Sequence, residues 1–312
     1  MIGAGHMGRS HAQKVAALGA RDGRVTLAAV VDVDEGRARK LGAELGAAAT
    51  ADAGQALRGA DAAIVAVPTS AHHELVRAAL ERGLDVLVEK PMAATLAEAE
   101  ALLELAVRRG RVLQVGHLEW FNPALREMRG KIAEPRFIEA HRMGPFPERG
   151  TDVDVVRDLM IHDLDILQQI LGEEPDRIES IGVPVVTDKA DVANARIAFP
   201  SGCVANLTAS RVAPKPVRKI RFFQRDGYVS IDFLGHAAAI FHRLPAASGR
   251  PPHFETEQLV FEREDPLLAQ LEDFVSAVRT RKSPAVSGRE GLRALRTALR
   301  VLEAMPRFGD PD

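Results

Sequence analysis

The sequence predicts an α/β nucleotide-binding domain followed by an α+β domain with a mostly antiparallel, open sheet. The first third of the chain alternates apolar, β-rich runs with helical periodicity, which is typical of a parallel sheet with helices on both faces. Beyond about residue 118, short alternating strands are separated by hairpin signals such as Gly202 and Asp226-Gly227. A chain of 312 residues also exceeds the size at which a single core usually keeps growing. We therefore expect domains at 1–117 and 118–312.

The first informative stretch is Gly3-Ala4-Gly5-His6-Met7-Gly8, which has the spacing G-x-G-x-x-G. In such a motif the first glycine makes a tight turn, the second lets backbone approach a pyrophosphate, and the third lets helix and strand pack closely. The N–H groups at the start of the following helix, expected over about 11–18, then hold the anion. The motif predicts a Rossmann domain whose Gly3, Gly5, His6, Met7 and Gly8 contact a dinucleotide. The alternative is an ordinary loop before an amphipathic helix.

An acidic residue follows the next strand. The apolar run 25–31 ends at Asp32, where a carboxylate suits the hydroxyls of an adenosine ribose and repels a 2′-phosphate. This favours NAD over NADP as cofactor. The alternative is a turn or helix-capping role within Asp32-Val33-Asp34-Glu35.

The strand that should precede the glycine turn is nearly absent. Only Met1 and Ile2 stand before Gly3, and two residues are too few for a strand of ordinary length. The first strand is therefore expected to be truncated, with the natural chain starting several residues upstream or Met1 being an internal start.

The rest of the first domain continues the alternation. Predicted helices lie at 35–45, 71–82 and 96–109, and predicted strands at 62–67, 85–89 and 112–115. Ligands of parallel sheets bind at the carboxyl ends of the strands. Pro68, Thr69, Glu89, Lys90 and His117 fall at such ends, and the first four are predicted cofactor contacts. His72, which begins the helix after Pro68, is a further predicted cofactor contact, with helix capping as the alternative.

In the second domain, helices are predicted at about 123–129 and 153–171 and near the end of the chain at 266–281 and 288–304. The predicted strands are 178–186, 193–199, 204–210, 218–224, 228–231 and 238–241, and a loop is predicted at 245–252.

Composition excludes several classes of function. A net charge of −2 gives no electrostatic case for nucleic acid or an anionic membrane. No apolar run reaches the roughly 18 residues that span a bilayer. The single cysteine, Cys203, lies in a strand-like run and is interpreted as structural. Such cysteine usage is typical of a cytoplasmic protein.

The second informative stretch carries acids and a histidine at helical spacing. Asp154, Asp158, His162 and Asp165 recur at intervals of four, four and three residues, so on an α-helix they share one face. An Asp one turn before a His can orient the imidazole for general acid–base catalysis on a hydroxyl. The alternative is a set of acids favoured by the helix dipole beside a solvated histidine. A metal site that adds His141 is disfavoured, and no metal is predicted.

Lys90 is the other candidate catalytic residue. It ends an apolar strand at the ligand-binding edge of the sheet and precedes Pro91, which fixes the turn. A lysine there can hold a substrate hydroxyl and stabilise developing charge. The alternative is a surface lysine paired with Glu89.

Together these motifs resemble the Gfo/Idh/MocA oxidoreductases. The residues that carry the resemblance, in order, are Gly3-x-Gly5-x-x-Gly8, Asp32, Val67-Pro68-x-x-x-His72, Glu89-Lys90-Pro91 and Asp158-x-x-x-His162-Asp-x-Asp165. The resemblance implies a Rossmann domain, a second domain with a large open sheet, and a homodimer or homotetramer formed through that sheet. It also implies that the last two helices, together about 266–304, pack back on the first domain. It further implies that Lys90 contacts substrate, His162 accepts a proton, Asp158 is its partner and Asp32 binds the ribose.

Further motifs resemble one subgroup of that family. They are Val115-Gly116-His117-Leu118-Glu119, Phe121-Asn122-Pro123, His141-Arg142-x-Gly144-Pro145 and the run 155–163. This resemblance implies oxidation of the C3 hydroxyl of UDP-N-acetylglucosamine to a ketone, for lipid A or related amino-sugar synthesis, with Arg142 among the substrate-contacting residues. Trp120 stands where a basic residue is expected and either packs or contacts a ligand.

The sequence thus predicts an NAD-dependent oxidoreductase that acts on the CH–OH group of a sugar. Two alternatives stay open. One is a dehydrogenase of a free polyol such as an inositol. The other is a non-catalytic NAD(H)-binding regulator, against which the joint retention of Lys90, Asp158 and His162 argues.

Overall fold

The computed structural model describes residues 1–146, 153–244 and 253–306. They form two compact units: Met1–Leu118 with Asp265–Leu292, and Glu119–Glu264 with Arg293–Asp312. The loop predicted at 245–252 lies outside the described residues. In chain order the elements are α1 (His6–Asp22), β1 (Ala29–Val31), α2 (Glu35–Leu45), β2 (Ala48–Thr50), α3 (Ala53–Leu57), β3 (Ala62–Val65), α4 (His72–Glu81), β4 (Asp85–Val88), α5 (Leu96–Arg109), β5 (Leu113–Val115), α6 (Pro123–Met128), β6 (Phe137–Met143), a π-helix (Val156–Met160), α7 (Ile161–Leu171), β7 (Arg177–Val183), β8 (Val192–Ala198), β9 (Val204–Ser210), β10 (Val217–Gln224), β11 (Gly227–Asp232), β12 (Ala237–Leu244), β13 (His253–Val260), α8 (Pro266–Thr280) and α9 (Gly288–Glu303).

The first unit has the parallel sheet that the alternation predicts. β1 pairs with β2, and β3 pairs with β4, which pairs with β5, all in parallel. Ile2 joins the two groups because it forms parallel bridges to both Val31 and Val65. Counting the residues around Ile2 as the first strand gives the order 3-2-1-4-5-6 of a doubly wound nucleotide-binding sheet.

The strand predicted at 25–31 is observed only at Ala29–Val31, so the prediction was too long at its start. Residues 25–28 instead line a cavity of about 640 Å³, together with Met1, Ile64 and the α8 residues Leu271 and Phe274.

The second unit is built on one eight-stranded sheet with the order β13-β12-β11-β10-β6-β9-β8-β7. Every pairing is antiparallel except that of β6 with β9, so the predicted mostly antiparallel open sheet is confirmed. One face packs on α6, the π-helix and α7 around a buried apolar core. The central strand β6 and the edge strand β13 were not predicted.

The last two helices follow only in part the prediction that both pack on the first domain. α8 contributes Leu271, Phe274 and Val275 to the core of the first unit. The start of α9 also belongs to that unit, since Gly288 packs on Leu113 and Gly291 on Val115. The later residues Ala294, Ala298 and Val301 of α9 lie in the core of the second unit. There Arg293 donates to the carbonyls of Gln168 and Glu173, and Arg300 donates to those of Pro175 and Asp176.

The outer face of the large sheet carries a row of aromatic side chains. Phe137, Phe223, Tyr228 and Phe241 lie on four adjacent strands, with successive ring centroids 5.6, 5.0 and 4.0 Å apart. Cys203 is buried on the other side, in the core, where burial raises the pKa of its thiol to about 11. Among the described residues, no helix combines the length and the apolarity needed to cross a bilayer.

Candidate active site

The glycine turn has the geometry that a pyrophosphate requires. Gly3 has φ +96°, and a Cβ there would lie 2.2 Å from the carbonyl oxygen of Ala66. A Cβ on Gly8 would lie 2.0 Å from the carbonyl oxygen of Gly3, so this position needs glycine for close packing. A Cβ on Gly5 would meet nothing within 4 Å, and Gly5 caps α1 without any side-chain hydrogen bond. The first helix therefore presents open backbone N–H groups, a suitable cradle for an anion.

Asp32 is fixed beside this turn. Its Oδ2 accepts a hydrogen bond from the backbone N–H of Ala4 at 2.8 Å. Its Oδ1 accepts from the N–H of Asp34 at 2.9 Å and from the guanidinium of Arg37 at 3.0 Å. The helix-capping role belongs to Asp34, whose side chain accepts from the N–H of Arg37. Asp32 is thus held where the adenosine ribose of a dinucleotide is expected, and Arg37 is a neighbour that the sequence analysis missed.

His72 is a brace between two strand ends. One ring nitrogen lies 2.9 Å from the carbonyl oxygen of Val67, and the other lies 2.9 Å from that of Pro91. Burial lowers the pKa of this histidine, and the two carbonyl bonds oppose that shift. Because both nitrogens are engaged by backbone, the predicted cofactor contact by the His72 side chain is not supported. Exposed Pro68 and half-buried Thr69 remain at the strand end, as predicted.

Glu89 is likewise occupied within the protein. Its Oε1 lies 2.8 Å from Nε2 of His11 on α1, and its Oε2 accepts from the N–H of Lys90 at 3.3 Å. The carboxylate therefore ties the cofactor helix to the turn that carries Lys90, whereas the sequence suggested a direct contact with cofactor. His11 is a second residue that the sequence analysis missed.

Lys90 is half-buried at the end of β4 and precedes a cis peptide bond to Pro91. His117, at the end of β5, is 1% exposed. Burial and then the charge of Lys90 lower the pKa of His117 to about 3, so its imidazole is neutral. The carboxyl edge of the parallel sheet therefore carries the positive charge of Lys90 and the neutral imidazole of His117.

The helix that carries His162 is not a uniform α-helix. Residues Val156–Met160 are π-helical, and α7 begins at Ile161. The wider π-turn changes the phase between Asp158 and His162, so the single α-helical face inferred from the spacing is wrong in detail. His162 is 8% exposed and Asp158 is half-buried. π-turns inside helices occur frequently at functional sites.

The other acids of this stretch have structural roles. Asp154 accepts from the N–H and the guanidinium of Arg157 at 2.9 and 2.6 Å, which caps the helix. Asp165 is buried and accepts from Gln169 at 3.0 Å. His141 lies on the outer face of β6, opposite the face on which α7 packs. No group of three or more metal-ligating side chains converges within the described parts of the chain.

Arg142 is enclosed in an ion cluster with buried Glu119 and Asp163, and exposed Arg218 contacts Glu119 from the solvent side. Its Nε and Nη2 donate to the two carboxylate oxygens of Asp163 at 3.1 and 2.8 Å, and its Nη1 donates to Glu119 at 2.6 Å. The side chain is 2% exposed, and its guanidinium lies 5.4 Å from the ring centroid of Phe233. Burial disfavours the charged form of Arg142, but the charges of Asp163 and Glu119 outweigh it and raise the pKa of Arg142 above its usual range. Burial also raises the pKa of Asp163. Direct contact with substrate, predicted for Arg142, does not fit this enclosure.

Of the two roles considered for Trp120, the structure supports packing. Its ring is partly buried against the core of the second unit, and the guanidinium of Arg129 lies 5.3 Å from the ring centroid. The sequence does not indicate this partner, because α6 lies between Trp120 and Arg129 and its packing brings the two together.

The fold and these residues define an oxidoreductase with a nucleotide-binding Rossmann domain and a second, open-sheet domain that carries an Asp-x-x-x-His motif. Residues 1–117 match the model of the Gfo/Idh/MocA oxidoreductase family, described as an NAD-binding Rossmann fold, and residues 126–230 match its C-terminal domain. The chain belongs to this family, which confirms the resemblance of its motifs. It therefore has a domain for a nucleotide cofactor.

Several dehydrogenases are similar to this chain over most of its length. It is 39% identical to UDP-N-acetylglucosamine 3-dehydrogenase of Acidithiobacillus ferrooxidans over 99% of this chain and 97% of that protein. A solved structure of the Acidithiobacillus ferrooxidans enzyme GnnA has a TM-score of 0.91, covering 97% of this chain and 96% of that one. A myo-inositol dehydrogenase of Streptomyces leeuwenhoekii is 32% identical over 69% of this chain and 70% of that protein. The scyllo-inositol 2-dehydrogenase (NAD(+)) of Bacillus subtilis is 28% identical over 92% of this chain and 87% of that protein.

Proposed function

We propose that this protein oxidises the C3 hydroxyl of UDP-N-acetylglucosamine to a ketone with NAD as hydride acceptor, in lipid A or related amino-sugar synthesis. The observation that carries the proposal is the end-to-end similarity to a UDP-N-acetylglucosamine 3-dehydrogenase, at 39% identity. The inositol dehydrogenases are less similar, at 32% and 28% identity.

The first unit supports NAD as the cofactor. The open turn at Gly5 accepts the pyrophosphate, and the Asp32 carboxylate accepts hydrogen bonds from the ribose hydroxyls. A 2′-phosphate at the same place would meet the negative charge of Asp32. Bound NAD supplies the hydride acceptor, so that the reaction consumes one alcohol and yields one ketone, one NADH and one proton.

His162 and Lys90 have complementary roles in this proposal. Neutral His162, supported by Asp158, accepts the hydroxyl proton as the carbon loses its hydride. Lys90 holds the substrate oxygen and stabilises the negative charge that develops on it. Glu89 and His72 hold the Lys90 turn in place through His11 and the carbonyls of Val67 and Pro91.

The test is a spectrophotometric assay with NAD and, separately, NADP. UDP-N-acetylglucosamine is supplied with a ketone-trapping reagent, because alcohol oxidation by NAD is often uphill at neutral pH, and absorbance of the reduced nicotinamide is followed. Signal with NAD supports the proposal. Signal with an inositol alone favours the polyol dehydrogenase, which the inositol dehydrogenases among the relatives make the second candidate. NADH binding without oxidation of any sugar favours the regulator.

Self-association through the large sheet is part of the proposal. The aromatic row of Phe137, Phe223, Tyr228 and Phe241 lies on the face opposite the packed core. A continuous aromatic strip is the kind of surface that protein interfaces favour. We therefore infer a homodimer or homotetramer in which this face is covered by a second copy.

A further inference from the structure

We propose that Arg142 is a positioning residue: through Asp163 it holds the first turn of α7, and so fixes the orientation and proton affinity of His162. The inference rests on the proposed function for the role of His162 as proton acceptor. It replaces the direct substrate contact expected for Arg142.

The contact between Arg142 and α7 is made at Asp163. Arg142 lies on the inner face of β6 and binds both carboxylate oxygens of Asp163, the residue that directly follows His162. A bidentate bond between guanidinium and carboxylate fixes direction as well as distance. The rotation of the α7 backbone at His162 is therefore tied to a strand in the middle of the sheet.

The helix needs such support at this place. The backbone hydrogen bonds change from π to α geometry between Met160 and Ile161, one residue before His162. Neither regular ladder is continuous across this junction, so the helix alone defines the orientation of His162 less firmly than the interior of an α-helix would. Arg142 supplies an external restraint within one residue of that histidine.

The cluster also sets the charge around Asp163, the residue that follows His162. Glu119 and Asp163 are both buried, and Arg142 contacts both. Arg218, which is exposed, adds a second positive charge at 3.3 Å from Glu119. The four formal charges sum to zero. Loss of the Arg142 charge would leave excess negative charge beside His162, which raises the proton affinity of an imidazole.

The test compares Arg142→Gln and Arg142→Lys with a control variant that removes a different arginine–carboxylate pair of β6. Arg221 of β10 pairs with Glu139 of β6 at 2.7 Å, but on the opposite face of the sheet. Arg221→Gln therefore removes an arginine–carboxylate pair between β6 and β10 without touching α7. Should Arg142→Gln fail to fold, Arg142→Lys, which keeps the charge but not the bidentate geometry, carries the same comparison.

The first readout is the titration of His162 by NMR in protein with ¹³C-labelled histidine, assigned with His162→Asn. It needs no substrate, so it stands even if the wild-type protein oxidises no sugar and the proposed function fails. We expect Arg142→Gln to raise the pKa of His162 by roughly one unit, Arg142→Lys to shift it less, and Arg221→Gln to leave it unchanged.

The second readout is steady-state kinetics. Misplacement of a proton acceptor lowers kcat by about 100-fold in Arg142→Gln, with KM for the sugar and Kd for NADH within about threefold of wild type. A raised KM with kcat retained would instead show a substrate contact and overturn the proposal. A lower Tm with unchanged kcat and unchanged His162 titration would reduce Arg142 to a stabilising residue, and would overturn it too.

Discussion

Nη2 of Arg37 lies 3.0 Å from Oδ1 of Asp32, so the expected ribose-binding acid forms an ion pair with an arginine. Arg37 is on α2 and its side chain is 55% exposed, whereas that of Asp32 is 8% exposed. A guanidinium is the group that a 2′-phosphate requires, and a carboxylate is the group that excludes it. Under the proposed function Asp32 therefore favours NAD, and Arg37 becomes available to a 2′-phosphate once the acid is gone.

Asp32→Ser is expected to reverse cofactor preference. Loss of the charge-assisted bonds to ribose lowers kcat/KM for NAD by about 10- to 100-fold. The same change frees Arg37 to bind a 2′-phosphate, so kcat/KM for NADP rises above that for NAD. Parallel assays with the two cofactors measure both effects. In Asp32→Ser with Arg37→Ala the gain with NADP should disappear; if it persists, Arg37 has no part in cofactor selection.

The sequence predicted the elements whose signals are local. The helix α5 matches its prediction at 96–109 because Thr95 and Glu98 form a capping box and Gly110 ends the helix with φ +62°. β6 was missed because Glu139, His141 and Arg142 interrupt the apolar pattern of Phe137–Met143. Two of these polar residues lie on the outer face, and the third is buried only because Asp163 and Glu119 neutralise it.

The sequence did not reveal the side-chain partners that are distant along the chain. His72 was predicted as a cofactor contact from its place at the start of the helix after Pro68, and Glu89 from its place at a strand end. Their actual partners, Pro91 and His11, lie 19 and 78 residues away. Spacing alone does not identify such pairs. The glycine turn could be assigned because its constraints, a positive φ and two close backbone approaches, act within the motif and its neighbouring strand.

His162→Ala is expected to abolish turnover and preserve cofactor binding. General-base catalysis contributes roughly 10²- to 10⁴-fold, so kcat should fall by about that factor. Fluorescence titration with NADH should give an unchanged Kd, since the cofactor motifs lie in the other unit. His242→Ala, which removes an exposed histidine on β12, is the matched control and should behave as wild type. Normal turnover in His162→Ala would rule out its assignment as proton acceptor.

Acid should destabilise the protein through His117. The imidazole is neutral in the fold, with its pKa lowered to about 3, whereas in the unfolded chain it protonates near 6.5. The unfolded state therefore binds the extra proton between these values, so stability is complete above pH 6.5 and falls as the pH drops toward 3. At pH 4.5 the loss is about 2.7 kcal/mol, or about 1.4 kcal/mol per pH unit.

Denaturant unfolding of wild type and His117→Gln at pH 7 and pH 4.5 checks this. The difference in unfolding free energy between the two proteins should shift by about 2.7 kcal/mol in favour of the variant at pH 4.5. Other buried histidines such as His72 titrate in both proteins and cancel. An identical pH dependence in the two proteins would show that His117 is not held neutral by burial.

Tyr228→Lys should weaken self-association. Tyr228 stacks on Phe241 at a centroid distance of 4.0 Å and lies in the middle of the aromatic row. A lysine there places an unpaired charge in the proposed interface, a type of change that costs interfaces several kcal/mol. Light scattering during size-exclusion chromatography should show a smaller species at micromolar concentration. Arg108→Glu, on α5 of the first unit, changes charge away from this sheet and should leave the mass unchanged; equal masses for wild type and Tyr228→Lys would exclude this face as the interface.

Residues added before Met1 should stabilise the first unit. The backbone at Met1 and Ile2 already bonds to both neighbours: the N–H of Ile2 donates to Ile64, and the N–H of Val31 donates to Met1, each at 2.8 Å. Further residues would continue this parallel strand into the cavity of about 640 Å³ between residues 25–28 and 59–63.

Five added residues extend the strand by about 16 Å. With apolar, β-branched side chains each gains about 1.5–3 kcal/mol from burial and loses about 1–2 kcal/mol of backbone entropy, so the net gain is roughly 4 kcal/mol. Thermal unfolding should then occur about 10 °C higher. The control is an extension of equal length made of Gly and Ser, which can supply the backbone bonds but cannot fill the cavity. A rise in Tm specific to the apolar extension identifies cavity filling as its cause, whereas equal values for the two extensions would show that the apolar side chains do not enter the cavity.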